Sequence, residues 1–143
     1  MKRNLYEGGI RVPHIAWWPG RIAPGWTTAL PSYFGDYVRT FAVLAGSMPP
    51  DPINSISLAP TLLGDTAQQA THDYLYGEFR GRQAARWRAW KAVRDSIGDG
   101  TTELYNLDTD STESTNVANA HPDVVERLTG LMDEAHTPSN GEQ

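Results

Sequence analysis

The sequence predicts an α+β fold in which a four-stranded antiparallel sheet packs against a helix. Four short segments rich in aromatic and aliphatic residues predict the strands, and turn residues separate them. These segments span residues 74–79, 83–87, 90–94 and 103–107. Apolar residues recur at helical spacing after Pro122, which predicts a helix lying across one face of this sheet.

The chain opens on an apolar and aromatic stretch that predicts a further strand. Residues 10–18 are mainly β-branched, aromatic or otherwise apolar, as in a strand buried on much of both faces. Gly8-Gly9 indicates a sharp turn before it, and Pro19-Gly20 ends it. Pro13 cannot donate a ladder hydrogen bond, so the strand starts there, bulges there or lies at a sheet edge. Alone, this stretch should expose apolar surface and favour association.

A first helix is predicted over residues 34–45. Ser32 is a suitable N-cap, and Gly46 is a suitable left-handed residue after the last turn. The apolar stripe of this helix consists of Phe34, Tyr37, Val38, Phe41, Leu44 and Ala45. Residues 47–55 contain three prolines, which predict a connection without regular structure.

The last helix is predicted to begin at Pro122, because proline is favoured at the first helical position. Asp123 and Glu126 suit the positive end of the helix dipole. The apolar stripe consists of Val124, Val125, Leu128, Leu131, Met132 and Ala135.

Composition limits the classes of function. The 143 residues suffice for one domain with a core, and the net charge of -5 argues against a general nucleic-acid binder. The absence of cysteine excludes disulfides, thiolate zinc sites and a cysteine nucleophile within these residues, and leaves the compartment open. No apolar run is long enough to span a bilayer, so the sequence predicts no membrane segment.

Two groups of polar residues could suggest a metal site, and neither has the right spacing. Asp108, Asp110 and Thr112 begin like a calcium loop, but Glu113 stands where an EF-hand needs glycine and Asn119 where it needs glutamate. The four histidines share no ligand spacing, so each is interpreted as a surface or packing residue. We therefore predict no metal site in this chain.

A row of arginines offers a possible anion-binding surface. Arg80, Arg82, Arg86 and Arg88 occupy even positions, so an uninterrupted strand would present them on one face, where they could hold a sulfated glycan. Gly81 is expected to interrupt that strand, and arginines on an exposed sheet face are usually only solvated.

Two stretches carry a family resemblance. The first runs Lys2-Arg3-Asn4-Leu5-Tyr6-Glu7-Gly8-Gly9 and continues through Arg11-Val12-Pro13 to Trp18-Pro19-Gly20. The second runs Tyr74-Leu75-Tyr76-Gly77-Glu78-Phe79 and continues at Glu103-Leu104-Tyr105-Asn106-Leu107. In order and spacing they resemble the formylglycine-dependent sulfatases, relatives of the alkaline phosphatases. Gly77 departs from that pattern, because the family usually has tryptophan there.

The resemblance implies a role for one residue and a division of the chain. Lys2 falls on the active-site lysine that contacts the substrate sulfate, and it is the only residue that we expect to be catalytic. Residues 10–18 would be the last strand of the catalytic α/β sheet. Residues 1–64 would be the C-terminal remnant of the catalytic domain, and residues 65–143 a C-terminal α+β subdomain.

The same resemblance implies that other parts of the active site lie outside this chain. The family nucleophile is formylglycine, made from a Cys/Ser-x-Pro-x-Arg motif, and a divalent cation, calcium, assists. The nearest string here, Ser47-Met48-Pro49-Pro50-Asp51, ends in aspartate and is rejected. The partner would be the missing N-terminal catalytic domain and the substrate an aryl or carbohydrate sulfate, so we expect these 143 residues alone to be inactive. Family members are commonly periplasmic, extracellular or lysosomal.

Two alternatives remain open. The chain could be a non-catalytic module that binds sulfated glycan or a partner chain, or part of a phosphate-hydrolysing relative in the same superfamily. Loss of glycan binding on replacing Arg86 and Arg88 would favour the first, and the nucleophile encoded upstream would decide the second.

Overall fold

The computed structural model describes residues 3–51, 53–98 and 100–138. They form two compact units. The first unit combines the described residues up to Val12 with those from Asp73 onward, and the second consists of Pro13–His72. Among the described residues, no helix has the length and apolar character needed to cross a lipid bilayer.

A four-stranded antiparallel sheet forms the centre of the first unit, as the sequence predicts. Its strands are β1 (Leu75–Phe79), β2 (Arg82–Trp87), β3 (Trp90–Arg94) and β4 (Thr102–Asn106), and they pair in chain order. Two-residue turns join the first three strands. Arg80 and Gly81 both have positive φ in the first turn, which suits the right-handed twist of a tight hairpin.

One face of the sheet is covered by the helix α4 (Pro122–Ala135). Leu128 and Met132 from α4 are fully buried against Ala85 and Ala92 of the two central strands. Because alanine side chains are short, the helix can lie close to the sheet. The α+β fold class and the predicted last helix are therefore confirmed.

The other face of the sheet is covered by the start of the chain. Leu5 packs against Ala84 and Val93, and it is followed by the single-turn helix α1 (Glu7–Ile10). We call residues 4–10 the N-terminal segment. This segment therefore packs on the face of the four-stranded sheet that α4 does not cover.

The second unit is built on two helices, α2 (Asp36–Leu44) and α3 (Ala59–Leu62). The helix predicted over residues 34–45 is confirmed, although it begins later. The Asp36 carboxylate accepts the Tyr33 N–H at 3.0 Å, which holds the residues before Asp36 in a turn. Gly46 ends the helix with φ +69°, as predicted.

The strand predicted over residues 10–18, and assigned by resemblance to a catalytic sheet, is wrong for this structure. Ile10 ends α1, and residues 11–18 have no regular structure. A strand needs a neighbour for its backbone hydrogen bonds, and the four described strands pair only with one another. Ile15 and Trp17 are 88% and 84% exposed. The apolar pattern therefore predicted a buried strand where the structure has exposed chain without regular structure.

Candidate functional site

The predicted catalytic residue, Lys2, lies outside the described residues. The structure describes the chain from Arg3 onward, including the N-terminal segment that carries the Tyr-Glu-Gly-Gly sequence. The geometry of the site is therefore that of the residues immediately after Lys2. Three of their side chains anchor this segment to the sheet.

The first anchor is apolar, and the second is the ring of Tyr6. The Leu5 side chain is 6% exposed and packs on Ala84 and Val93 of the sheet. Tyr6 lies edge-on to Tyr105 with ring centroids 6.2 Å apart, and its hydroxyl donates a hydrogen bond to the Glu103 carboxylate. Burial, together with this bond and the negative charge of Glu103, raises the pKa of Tyr6 to about 12. The hydroxyl therefore remains a donor at neutral pH.

The third anchor is a buried ion cluster around Lys91. Lys91 Nζ lies 2.9 Å from Glu7 Oε1 and 2.8 Å from Glu113 Oε1. The side chains of Lys91 and Glu113 are each 2% exposed, and that of Glu7 is 10% exposed. A second link bypasses the lysine, because the Glu7 backbone N–H donates to Glu113 Oε2. The cluster joins the N-terminal segment, the central strand β3 and the stretch of residues 108–116 before α4, which we call the acidic turn.

The acidic turn is held in shape by hydrogen bonds to the carboxylate of its own Asp110. The Asp110 carboxylate accepts hydrogen bonds from the backbone N–H groups of Ser114 and Thr115 and from the hydroxyls of Thr112 and Ser114. These bonds, the one from Thr115 foremost, lower the pKa of Asp110. The turn presents Glu113, at φ +56°, to the sheet.

Gly9 is required within α1, where the helix lies close to Asn4. A Cβ built on Gly9 would lie 2.2 Å from Asn4 Oδ1 and 2.7 Å from the Asn4 carbonyl oxygen. Asn4 Oδ1 also accepts the Tyr6 N–H at 3.2 Å, so the obstructing side chain is itself held in place. The glycine therefore serves close packing of backbone and not a left-handed conformation.

A second polar cluster lies inside the second unit. Asp36 is fully buried, and both of its carboxylate oxygens lie 3.0 Å from His72 Nε2. Asp36 Oδ1 also accepts the Ile56 N–H, while Thr40 accepts the Leu58 N–H at 2.8 Å. The sequence predicted a surface or packing role for His72 and did not predict its pairing with Asp36. No local signal links two residues so far apart in the chain.

The arginine row is interrupted, as Gly81 predicted. Arg80 and Arg88 both have positive φ in hairpin turns, and only Arg82 and Arg86 lie within β2. The guanidinium groups of Arg88 and Arg127 instead lie 4.8 and 4.2 Å from the centroid of the Trp87 ring.

The described residues contain no group of three or more histidines, cysteines, aspartates and glutamates placed to hold a metal ion. His14, His121 and His136 pair with Tyr37, Trp90 and Glu78 respectively. The residues described here therefore do not offer a ligand set for a family metal.

Comparison with known proteins places this site in context. Residues 1–137 match the family model described as N-sulphoglucosamine sulphohydrolase, C-terminal. Human arylsulfatase A is 34% identical over 160 residues, covering 92% of this chain and 31% of the relative. N-acetylgalactosamine-6-O-sulfatase from Bacteroides thetaiotaomicron is 29% identical over 151 residues, covering 95% of this chain and 29% of the relative. The chain spans less than a third of the length of these relatives.

Solved structures agree with this match. A putative sulfatase from Bacteroides thetaiotaomicron superposes with a TM-score of 0.59 at 28% identity, covering 69% of this chain and 23% of its own. A second structure, solved with its substrate D-glucosamine-2-N,6-O-disulfate, has a TM-score of 0.53 at 21% identity over 69% of this chain and 22% of its own, which supports the fold alone. From the family match, the identity to arylsulfatase A and the shared fold, we conclude that the chain belongs to the sulfatase family and corresponds to its C-terminal region.

Proposed function

We propose that this chain is part of an enzyme that hydrolyses sulfate monoesters of aryl alcohols or carbohydrates, and that Lys2 contacts the sulfate. The observation that carries the proposal is the anchoring of the N-terminal segment by Leu5, Tyr6 and Glu7. A segment held at three successive residues is suited to present a neighbouring side chain at a defined place.

The chemistry needs a cation of the kind that Lys2 would supply. As the ester bond breaks, negative charge moves towards the leaving group and the sulfate oxygens, and a fixed ammonium group stabilises that charge. In the family the nucleophile is formylglycine, and a divalent cation such as calcium assists. In this proposal both belong to an N-terminal part of the enzyme that lies outside these residues.

The second unit supplies a surface that suits a partner domain. Its residues His14 to Trp18 and the α2 side chains Tyr37 and Phe41 line an apolar groove with a volume of about 390 Å³. Phe41 is 64% exposed in addition to Ile15 and Trp17. We propose that the N-terminal catalytic domain covers this surface. In this proposal residues 1–64 are the end of the catalytic domain and residues 65–143 are the subdomain, and the N-terminal segment is the part of the catalytic domain that packs on the sheet of the subdomain.

The proposal is tested by joining the chain to the upstream part encoded beside it and measuring turnover of a chromogenic aryl sulfate. We expect the joined protein to be active and the isolated 143 residues to be inactive. Lys2→Ala should reduce kcat/KM by about 10²-fold or more, by analogy with removing one preorganised charge-stabilising group. Arg3→Ala is the matched control and should retain activity. Turnover by the isolated chain, or full activity in Lys2→Ala, would refute the proposal.

A phosphate-hydrolysing relative is distinguished in the same assay. The joined protein is given an aryl phosphate and an aryl sulfate with the same leaving group. A higher kcat/KM for the phosphate ester would favour the relative over the sulfatase.

A glycan-binding role is the second candidate, favoured by the stacking of Arg88 and Arg127 on Trp87. This patch offers two cations beside one aromatic ring, which suits a sulfated sugar. Binding of the 143-residue chain to immobilised heparin, lost in the double variant Arg88→Ala/Arg127→Ala, would support it. Unchanged retention in that variant would exclude the patch.

A further inference from the structure

Lys91 is a buried cation that the proposed chemistry does not use. The sequence contains only two lysines, Lys2 and Lys91. Lys91 is 2% exposed and lies in the central strand β3, on the face opposite α4. Burying an ammonium group is costly unless its charge is compensated, so its partners explain its position.

The partners of Lys91 come from distant parts of the sequence. Glu7 precedes it by 84 residues, and Glu113 lies in the acidic turn beyond β4. Both contacts are within 3 Å, and the Glu7 N–H closes the cluster through Glu113. Lys91 therefore fixes the end of the N-terminal segment against the middle of the sheet.

The segment needs such a contact because its own structure is too short to hold it. The helix α1 has 4 residues, and a single helical turn is unstable without tertiary contacts. Leu5 supplies apolar contact, which does not by itself define how the segment is rotated. The ion pair at Glu7 and the Tyr6 hydrogen bond to Glu103 are directional, and they define that rotation.

We propose that Lys91 is a positioning residue that acts through Glu7 to orient the N-terminal segment, and with it Lys2. This inference rests on the proposed function for its catalytic consequence, because Lys2 is the residue being placed. Its structural part concerns residues 4–10 alone. An ion pair that only stabilised the fold could be replaced by neutral side chains without changing the order of this segment.

The structural part is tested by hydrogen exchange of the 143-residue chain. Lys91→Met removes the charge but leaves two buried carboxylates, so the main variant is the neutral combination Lys91→Met/Glu7→Gln/Glu113→Gln. We expect the amides of residues 5–11 to exchange about tenfold faster in this variant, while amides of α4 keep their wild-type rates. Lys91→Arg, which keeps a cation, should retain part of the protection. Glu126→Gln, an exposed substitution in α4, is the charge-matched control.

Two exchange results would overturn the inference. In the first, residues 5–11 keep wild-type protection in the neutral variant. In the second, protection falls equally in the segment and in α4, which would show a general loss of stability.

The catalytic part is tested in the joined protein with the aryl sulfate. The neutral variant should lower kcat by about 10²-fold with a smaller change in KM, because a small misplacement of a catalytic group chiefly affects the transition state. Unchanged kcat would overturn the positioning role. If wild-type protein and Lys2→Ala are equally inactive, the proposed function fails while the exchange result still decides the role of Lys91 in ordering the segment.

Discussion

Replacing Gly9 by alanine should destabilise the chain, although alanine is normally the better helix former. The new Cβ would lie 2.7 Å from the carbonyl oxygen of Asn4. A backbone atom cannot move aside as a side-chain end can, so the segment must shift on the sheet. Overpacking of this kind costs about 1–3 kcal/mol. The loss of stability in Gly9→Ala cannot exceed the free energy with which the N-terminal segment binds the sheet, because the segment can detach from the sheet instead of accommodating the new Cβ.

Gly130 provides a matched control for this substitution. It lies in α4, and a Cβ built there has no neighbour within 4 Å. Gly130→Ala should therefore stabilise the chain by about 0.5–1 kcal/mol, the usual helix preference for alanine over glycine. The two variants should therefore shift the free energy of unfolding in opposite directions from the wild type and differ from each other by roughly 1.5–4 kcal/mol.

The assay is urea unfolding followed by tryptophan fluorescence and circular dichroism. The free energy of unfolding is extrapolated to water for the wild type and both variants. A Gly9→Ala midpoint equal to or above that of Gly130→Ala would refute the close packing of Gly9 on Asn4. Faster proteolysis after Arg3 or Arg11 in Gly9→Ala alone would locate the loss in the N-terminal segment.

Three further predictions concern other contacts. Leu128→Ala should lower the free energy of unfolding by about 2–5 kcal/mol in urea titrations, because it empties a fully buried position; a loss below about 1 kcal/mol would contradict that packing. The hydrogen bond from Tyr76 and, to a smaller extent, the one with His136 lower the pKa of Glu78 in the folded chain. Its stabilisation is therefore complete above the unfolded-state pKa near 4.5 and is lost as pH falls through the folded value, so the stability gap between wild type and Glu78→Gln should close in acid. Asp36→Ala should lower the free energy of unfolding by about 2–5 kcal/mol, since it leaves the His72 ring and the N–H groups of Tyr33 and Ile56 without their acceptor. Thermal unfolding of Asp36→Ala beside the exposed control Asp123→Ala measures this loss, and equal Tm values would count against it.

Local sequence patterns predicted the parts of the fold whose signals lie within one element. Trp87 and Trp90 flank a two-residue turn and pair across it, so the β2–β3 hairpin could be predicted directly. The stripe containing Leu128 and Met132 repeats at helical spacing on a single helix and likewise predicted its buried face. In both cases neighbouring residues carry the whole signal.

The candidate site was less predictable because its contacts join distant segments. Glu7 and Lys91 are each ordinary charged residues in the sequence, and only the packing of the N-terminal segment on the sheet brings their charged atoms to 2.9 Å. The Asp36–His72 pair is hidden for the same reason. Residues 10–18 show the opposite failure, since their apolar character was clear while the strand that it predicted does not form.

The N-terminal segment packs on a sheet from which it is separated by a long stretch of the chain. About 60 residues, Pro13–His72, intervene before the first unit resumes. In the unfolded chain, bringing the two ends of a stretch of that length together costs roughly 3.6 kcal/mol of entropy, and halving its length would recover only about 0.6 kcal/mol. Packing of the N-terminal segment on the sheet should therefore be little affected by changes in the length of residues 13–72. Cleavage of the chain within these residues would make the segment a separate peptide, which should dissociate readily.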